Sequence, residues 1–80
     1  MTKTATLTNL VIEETRINRA GRWIISTRRN GGSLVLTLAP ELDAIGESLH
    51  IGATINVLAM ADVDEASRSF LGPIVATEVW

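Results

Sequence analysis

Apolar and polar residues alternate along several short stretches of the chain, which is the pattern of half-buried β-strands. The stretch 34–39 is the clearest, because leucine occupies every second position. The same period of two runs through 53–60 and 73–80. Two further stretches, 5–17 and 22–28, are rich in Thr, Val, Leu, Ile and Arg and contain neither Gly nor Pro, which also favours strands. The pattern therefore predicts five strands.

The first predicted strand departs from strict alternation. Leu10 and Ile12 share a face with Thr8, whereas Leu7 and Val11 lie on the opposite face. Apolar residues on both faces suit a coiled strand that carries a β-bulge. We therefore expect this strand to bend, as the strands of a barrel commonly do.

Turn residues separate the first three strands. Residues 18–21 read Asn-Arg-Ala-Gly, and residues 30–32 read Asn-Gly-Gly. The second segment is the strongest local signal, because a tight hairpin turn needs positive φ at consecutive positions, which Gly and Asn adopt at low cost. The first three strands are therefore predicted to pair as two consecutive hairpins.

A short helix is predicted near 40–49, between the third and fourth strands. Pro40 suits the first turn of a helix, where its missing N–H is no loss. The apolar residues that follow recur at helical spacing on one side: Leu42, Ile45 and Leu49. Gly46 weakens a helix by roughly 1 kcal/mol relative to Ala, so we expect the helix to be short or partly 3₁₀. It would plug one end of a barrel.

Length and composition indicate one folded domain covering 1–80. Eighty residues, 46% of them apolar, can bury one modest core. The chain has no Cys, which excludes a disulfide framework and is typical of a reducing compartment. No apolar run approaches the ~20 residues that span a bilayer, and the N-terminus leads into no signal-like segment. We therefore expect a cytoplasmic protein with no membrane partner.

Charge is segregated along the chain. Five Arg and no acid lie between Thr15 and Ser33, whereas seven acids and the single Arg68 follow Pro40. The net charge of −2 conceals this separation. The pattern predicts one basic lobe at the first hairpin and one acidic lobe that includes a long loop at 62–72.

The predicted order of elements is strand, strand, strand, helix, strand, strand. This order resembles the OB-fold, a five-stranded, partly open β-barrel that binds oligonucleotides or oligosaccharides. Residues 49–57 (Leu-His-Ile-Gly-Ala-Thr-Ile-Asn-Val) are similar to the Leu-x-x-Gly-x-x-Val-x-Val entry into the fourth strand of many OB domains, and 72–79 resembles their last strand. The resemblance covers nearly the whole chain and implies an all-β barrel with one short helix. It identifies an architecture and no particular family.

OB domains that bind single strands use aromatic platforms and basic side chains on the second and third strands and in adjoining loops. The resemblance therefore implies single-stranded DNA or RNA as the partner, with the protein as an accessory subunit of a DNA or RNA processing complex. Phosphates would contact the arginines, and Trp23 or Phe70 would stack on bases. The predicted nucleic-acid-binding residues are Arg16, Arg19, Arg22, Trp23, Arg28, Arg29 and Phe70.

Each of these residues also has a purely structural interpretation. Arginines at strand ends and hairpin tips often serve only as solvated edges. Trp23 is equally suited to anchor the core, and Trp80 is expected to dock the last strand there. The chain has only three aromatic residues, which argues against a tight binder that depends on stacking.

A protein-interaction or homo-oligomeric assembly module is the second hypothesis. The basic hairpin of one copy would meet the acidic loop 62–72 of another copy or of a partner protein. Exposed strand edges offer a further route, by β-augmentation.

A second resemblance is to the Mop/TOBE domains, which hold molybdate or tungstate between subunits, and it gives a third hypothesis. Residues 31–34 and 38–52 run parallel to the middle region of those domains. The chain departs from them in its long acidic segment after the fourth strand and in lacking their Ser/Lys-rich start. Oxyanion binding is therefore the least favoured of the three hypotheses.

The titratable residues form no catalytic or metal-binding motif. His50 is the only His, and no Cys accompanies it as a zinc ligand or catalytic partner. Asp62, Asp64 and Glu65 begin like a Ca²⁺ loop but lack its Gly and its distal Glu. We therefore expect no enzyme activity, no bound metal and no cofactor.

Overall fold

The structure, a computed structural model, describes all 80 residues and is mostly β. Its strands are β1 (Thr2–Ile17), β2 (Trp23–Arg29), β3 (Gly32–Leu38), β4 (Thr54–Asp64), β5 (Ser69–Phe70) and β6 (Ile74–Val79). A 3₁₀ turn, Pro40–Leu42, leads directly into the α-helix α1 (Asp43–Ser48). The helical segment is short and partly 3₁₀, as predicted. It does not reach the length and apolarity that a membrane-crossing helix needs.

Five of the strands close into a barrel. β1 pairs antiparallel with β2, and β2 with β3, which are the two predicted hairpins. β3 pairs in parallel with β6, β6 pairs antiparallel with β4, and β4 returns to β1. The predicted fold class is therefore confirmed: an all-β, OB-fold-like five-stranded barrel with one short helix between its third and fourth strands.

β1 pairs with both β4 and β2 because it bends. Its first part, 2–11, pairs with β4, and its second part, 11–17, pairs with β2, so Val11 has a partner on each side. The register shifts between Leu7 and Leu10, where Asn9 has a φ of 58°, and again between Ile12 and Glu14. The irregularity that the mixed alternation predicts in this strand is confirmed.

The interior of the barrel is filled by side chains from all five strands and from the 3₁₀ turn. The core cluster consists of Leu10, Ile12, Ile25, Leu36, Leu38, Leu42, Ile55, Val57, Ala59 and Ala76. Thr27 is also fully buried, and its hydroxyl donates a hydrogen bond of 2.8 Å to the carbonyl of Leu34. The one buried polar side chain next to the core is thus satisfied, as buried polar groups require.

The helical segment covers the end of the barrel at which β2 begins. Leu42 belongs to the core cluster, and Ile45 and Leu49 pack against it. Gly46 lies so close to Trp23 that a Cβ atom there would be 2.6 Å from Cγ of the indole. The helix therefore rests on the first residue of β2.

The segment 62–72, predicted as a long acidic loop, forms a β-hairpin instead. β4 continues to Asp64, and β5 pairs with it so that Val63 lies opposite Phe70. The carboxylate of Asp64 accepts hydrogen bonds from the Ala66 amide (3.1 Å) and the Ser67 hydroxyl (2.9 Å). The prediction is wrong because this acid organises a turn, a role for which Asp is well suited.

The position of Trp80 also differs from expectation. Its backbone exchanges hydrogen bonds with Asn56, of 2.8 and 2.9 Å, so the chain end is held against β4. The side chain, however, is 59% exposed. The last strand is docked by its backbone and not by an indole in the core.

Candidate nucleic-acid interface

Two of the predicted arginines lie on the outer face of the β1–β2 hairpin. Ile25 and Thr27 are fully buried and point into the barrel, so Arg28 points outward, because side chains alternate along a strand. Arg16 pairs with Ile24, the residue before Ile25, and therefore lies on the same outer face. The side chains of Arg16 and Arg28 are 57% and 62% exposed. We call this surface, the outer side of β1 and β2, the arginine face.

Arg19 and Arg29 lie at the two ends of this hairpin face. Arg19 is exposed in the turn between β1 and β2, and Arg29 is the exposed last residue of β2. Neither forms an ion pair within the chain. The turn that carries Arg19 is held by Asn18, whose side-chain oxygen accepts hydrogen bonds from the Ala20 and Arg22 amides at 2.9 and 3.0 Å.

Two glutamates on β1 neutralise part of the arginine face. Nη2 of Arg28 lies 2.8 Å from Oε2 of Glu13, and Nε of Arg16 lies 3.7 Å from Oε1 of Glu14. Such exposed pairs contribute little to stability. Each carboxylate nevertheless occupies part of a guanidinium group that a bound phosphate would contact. The charge pattern over 15–33 predicts a basic hairpin without acids, but Glu13 and Glu14 directly precede that range and lie beside its arginines. Over 13–29 the hairpin carries five Arg and two Glu, a net charge of +3 in a chain of net charge −2.

Arg22 is engaged inside the molecule. Its Nη2 lies 3.6 Å from Oδ2 of Asp43 on α1, and its side chain is 31% exposed. Nη1 of Arg22 and Oδ1 of Asp43 are buried without a hydrogen-bond partner. This arginine therefore links β2 to the helix and offers less of its guanidinium to a ligand than the four exposed arginines.

The two predicted stacking residues do not lie with the arginines. Trp23 is half-buried, packs against the core cluster and lies under Gly46, so it anchors the helix to the core. Phe70 is 61% exposed, but it belongs to the β4–β5 hairpin. There it lines an apolar pocket of about 210 Å³ together with Leu7, Leu34 and Ile74. The arginine face thus has no aromatic side chain of its own.

The acidic residues of 62–72 are largely engaged within the chain. Oδ1 of Asp62 accepts a hydrogen bond of 2.8 Å from the Thr2 hydroxyl, and Asp64 holds the β4–β5 turn. No three His, Asp or Glu side chains lie close enough together to hold a metal ion. His50, the only histidine, lies exposed after α1.

The chemistry that this arrangement offers is recognition of anions on an open surface. Guanidinium groups donate several hydrogen bonds in a planar fork that matches phosphate oxygens. The neighbouring carboxylates of Glu13 and Glu14 compete for the same donors, which limits the affinity. The sequence matches no protein-family model, and no curated protein is significantly similar to it.

Proposed function

We propose that the protein is a non-catalytic binding module that holds the sugar-phosphate backbone of single-stranded DNA or RNA against the arginine face. The observation that carries the proposal is the net charge of +3 over 13–29 in a chain whose total charge is −2. The barrel adds to it, since it is consistent with an OB-like barrel, and OB-folds bind oligonucleotides on their second and third strands and adjoining loops, which here include β2 and the turn that carries Arg19.

The exposed arginines are spaced along a track. β2 has seven residues, and at about 3.3 Å per residue it covers roughly 20 Å. Arg19 precedes this strand and Arg29 ends it, while Arg16 and Arg28 lie on the outer face between the two ends. A single strand laid along the hairpin would meet Arg19 and Arg16 at one end and Arg28 and Arg29 at the other.

Phosphate contacts supply most of the binding free energy, because no aromatic side chain lies on the arginine face. Binding of this kind tolerates any base sequence and weakens steeply with salt, since each phosphate contact releases bound counterions. With four exposed arginines, the logarithm of the association constant should fall against the logarithm of salt concentration with a slope of about −3, from about −0.7 per phosphate on single strands.

The test is fluorescence anisotropy of labelled oligo(dT) and oligo(rU) at salt concentrations from about 20 to 200 mM, a range over which such slopes are resolved. Arg28→Gln should weaken binding and make the slope shallower by about 0.7. Glu13→Gln should strengthen binding, because it releases the guanidinium of Arg28 from its carboxylate partner.

Arg68→Gln is the matched control. It changes the net charge as Arg28→Gln does, but Arg68 lies in the turn between β4 and β5. The affinity of the Arg68→Gln variant for both oligonucleotides should stay close to that of the parent protein. Equal losses in Arg28→Gln and Arg68→Gln, or no binding of either oligonucleotide at low salt, would contradict the proposal.

A further inference from the structure

The first half of β1 has a free edge. β4 pairs with 2–7 on one side, whereas β2 pairs with β1 only from Val11 onward. No other strand pairs with β1. Over 2–9 the side away from β4 is therefore without a neighbouring strand, and every residue there except the half-buried Leu7 is exposed.

The hydrogen-bond pattern identifies which backbone groups point to this free edge. Met1 and Val63 exchange two hydrogen bonds, of 2.9 Å from the Met1 amine and 2.8 Å to the Met1 carbonyl. Bonded pairs recur at every second residue of an antiparallel ladder, so the odd-numbered residues of 3–7 bond to β4. The amides and carbonyls that point away from β4 are those of Thr2, Thr4 and Thr6.

The composition of this edge does little to prevent pairing with another chain. Natural edge strands are commonly protected by Pro, by several charges or by shortness. The segment 2–9 has no Pro and a single charge, Lys3. Four of its eight residues are Thr, which has high β-propensity. The edge therefore has the properties of a template for an added strand.

The apolar pocket of about 210 Å³ lies beside the free edge. Lys3, Ala5 and Leu7 line it from β1, and Phe70 lines it from the β4–β5 hairpin. Phe70 and the neighbouring Leu71 are 61% and 66% exposed. Grouped exposed apolar side chains mark interaction sites. A strand added to the edge of β1 would extend the sheet beside this pocket.

We propose that the added strand is β1 of a second copy, paired antiparallel about a two-fold axis at Ala5. The free backbone groups of each copy belong to threonines at every second residue. When the free groups of two copies bond to each other, in any antiparallel register, Thr therefore lies opposite Thr. A two-fold contact of this kind uses the same surface in both copies. The chain is thus complementary to itself at this edge.

Charge disfavours any axis that lies nearer to Lys3 than Ala5 does. With the axis at Ala5, Lys3 lies opposite Leu7 of the second copy, and the two lysines are four residues apart along the sheet. At about 3.3 Å per residue this separation is roughly 13 Å, beyond the screening length of about 8 Å at physiological salt. An axis at Thr4 would halve the separation along the strands. The pairing uses residues 2–8 and none of the four exposed arginines, so it goes beyond the proposed function.

The first test is the molecular mass by sedimentation equilibrium over a range of protein concentrations, without nucleic acid. A monomer–dimer equilibrium is expected. Thr4→Pro should shift it to monomer, because Pro removes an amide of the free edge without removing a bond to β4. Thr4→Val keeps the amide and should remain dimeric. Should Thr4→Pro fail to fold, the double variant Thr4→Lys/Thr6→Lys replaces it, since the paired lysines would repel and the dimer would return in high salt.

The second test is disulfide formation in Ala5→Cys, which is specific because the parent chain has no Cys. Facing residues of a pair without mutual hydrogen bonds are about 4.5 Å apart at Cα, within the range for a disulfide. Ala5→Cys should therefore form a covalent dimer on mild oxidation. Val35→Cys, equally a single exposed cysteine on the barrel, should not.

A mass of one chain at all concentrations would overturn the proposal. So would a dimer that Thr4→Pro leaves intact, or equal cross-linking of the two cysteine variants. Each of these results leaves the oligonucleotide measurements unaffected, so failure of the dimer and failure of the proposed function are distinguishable.

Discussion

Gly46 should be required in α1, although glycine is normally unfavourable inside a helix. A Cβ atom at this position would lie 2.6, 2.7 and 2.9 Å from Cγ, Cδ1 and Cδ2 of Trp23. Nonbonded carbon atoms pack best at about 3.5–4.0 Å, so a methyl group would overlap the indole by about 1 Å. The indole cannot turn away freely, because it packs against the core cluster.

Gly46→Ala therefore combines two opposed effects on the free energy of unfolding. Alanine is favoured over glycine in a helix by about 1 kcal/mol. Overpacking of a filled site costs about 1–3 kcal/mol, and overlap with three ring atoms places the cost at the upper end of that range. The net loss is then about 2 kcal/mol, which lowers the Tm of a domain of this size by about 8–16 °C.

Thermal and urea unfolding followed by circular dichroism measure this loss. Ala44→Gly, at an exposed position of the same helix, is the control and should lose only the helix preference of about 1 kcal/mol. In a Trp23→Leu background the overlap is absent, so adding Gly46→Ala should now raise the stability. A higher Tm for Gly46→Ala in the parent protein, or the same effect in both backgrounds, would refute the reasoning.

Two further substitutions test hydrogen bonds that support the arginine face. Asn18→Ala removes the acceptor of two turn amides and should lower the free energy of unfolding, measured in urea, by about 1–2 kcal/mol. Asn18→Asp keeps an acceptor oxygen and should retain most of the stability. Equal losses in the two variants would show that the turn does not depend on this hydrogen bonding. Thr27→Val removes the buried hydroxyl that donates to the Leu34 carbonyl and should cost about 1 kcal/mol by the same measurement, and a more stable variant would contradict the role of that bond.

Most of the barrel was predictable because its strands bury every second side chain. Leu36 and Leu38 are fully buried, as their period of two requires. The turn before them was predictable for an equally local reason, since Asn30 and Gly31 adopt φ of 51° and 81°. No local pattern records which strands become neighbours. The parallel pairing of β3 with β6, which closes the barrel, joins segments far apart in the sequence and was not predicted.

The charge balance of the arginine face was harder to predict because it depends on a register shift. Glu13 lies at the irregularity between Ile12 and Glu14, and from there it reaches Arg28 on the next strand. The acidic composition of 62–72 favoured a loop, although Val63 and Phe70 flank a turn-forming Asp64 and could have indicated a hairpin. Charge counts along the sequence cannot show which acids are already bonded within the chain.

The position of the ligand is the most direct test of the central claim, and ¹H–¹⁵N NMR titration with oligo(dT) measures it. The proposed interface predicts that the amide shifts concentrate in 13–17 and 24–29, that the side-chain Nε signals of Arg16 and Arg28 move with them, and that all shifts shrink as salt is added. Shifts concentrated around Phe70 and the apolar pocket, or no shifts at low salt, would contradict it.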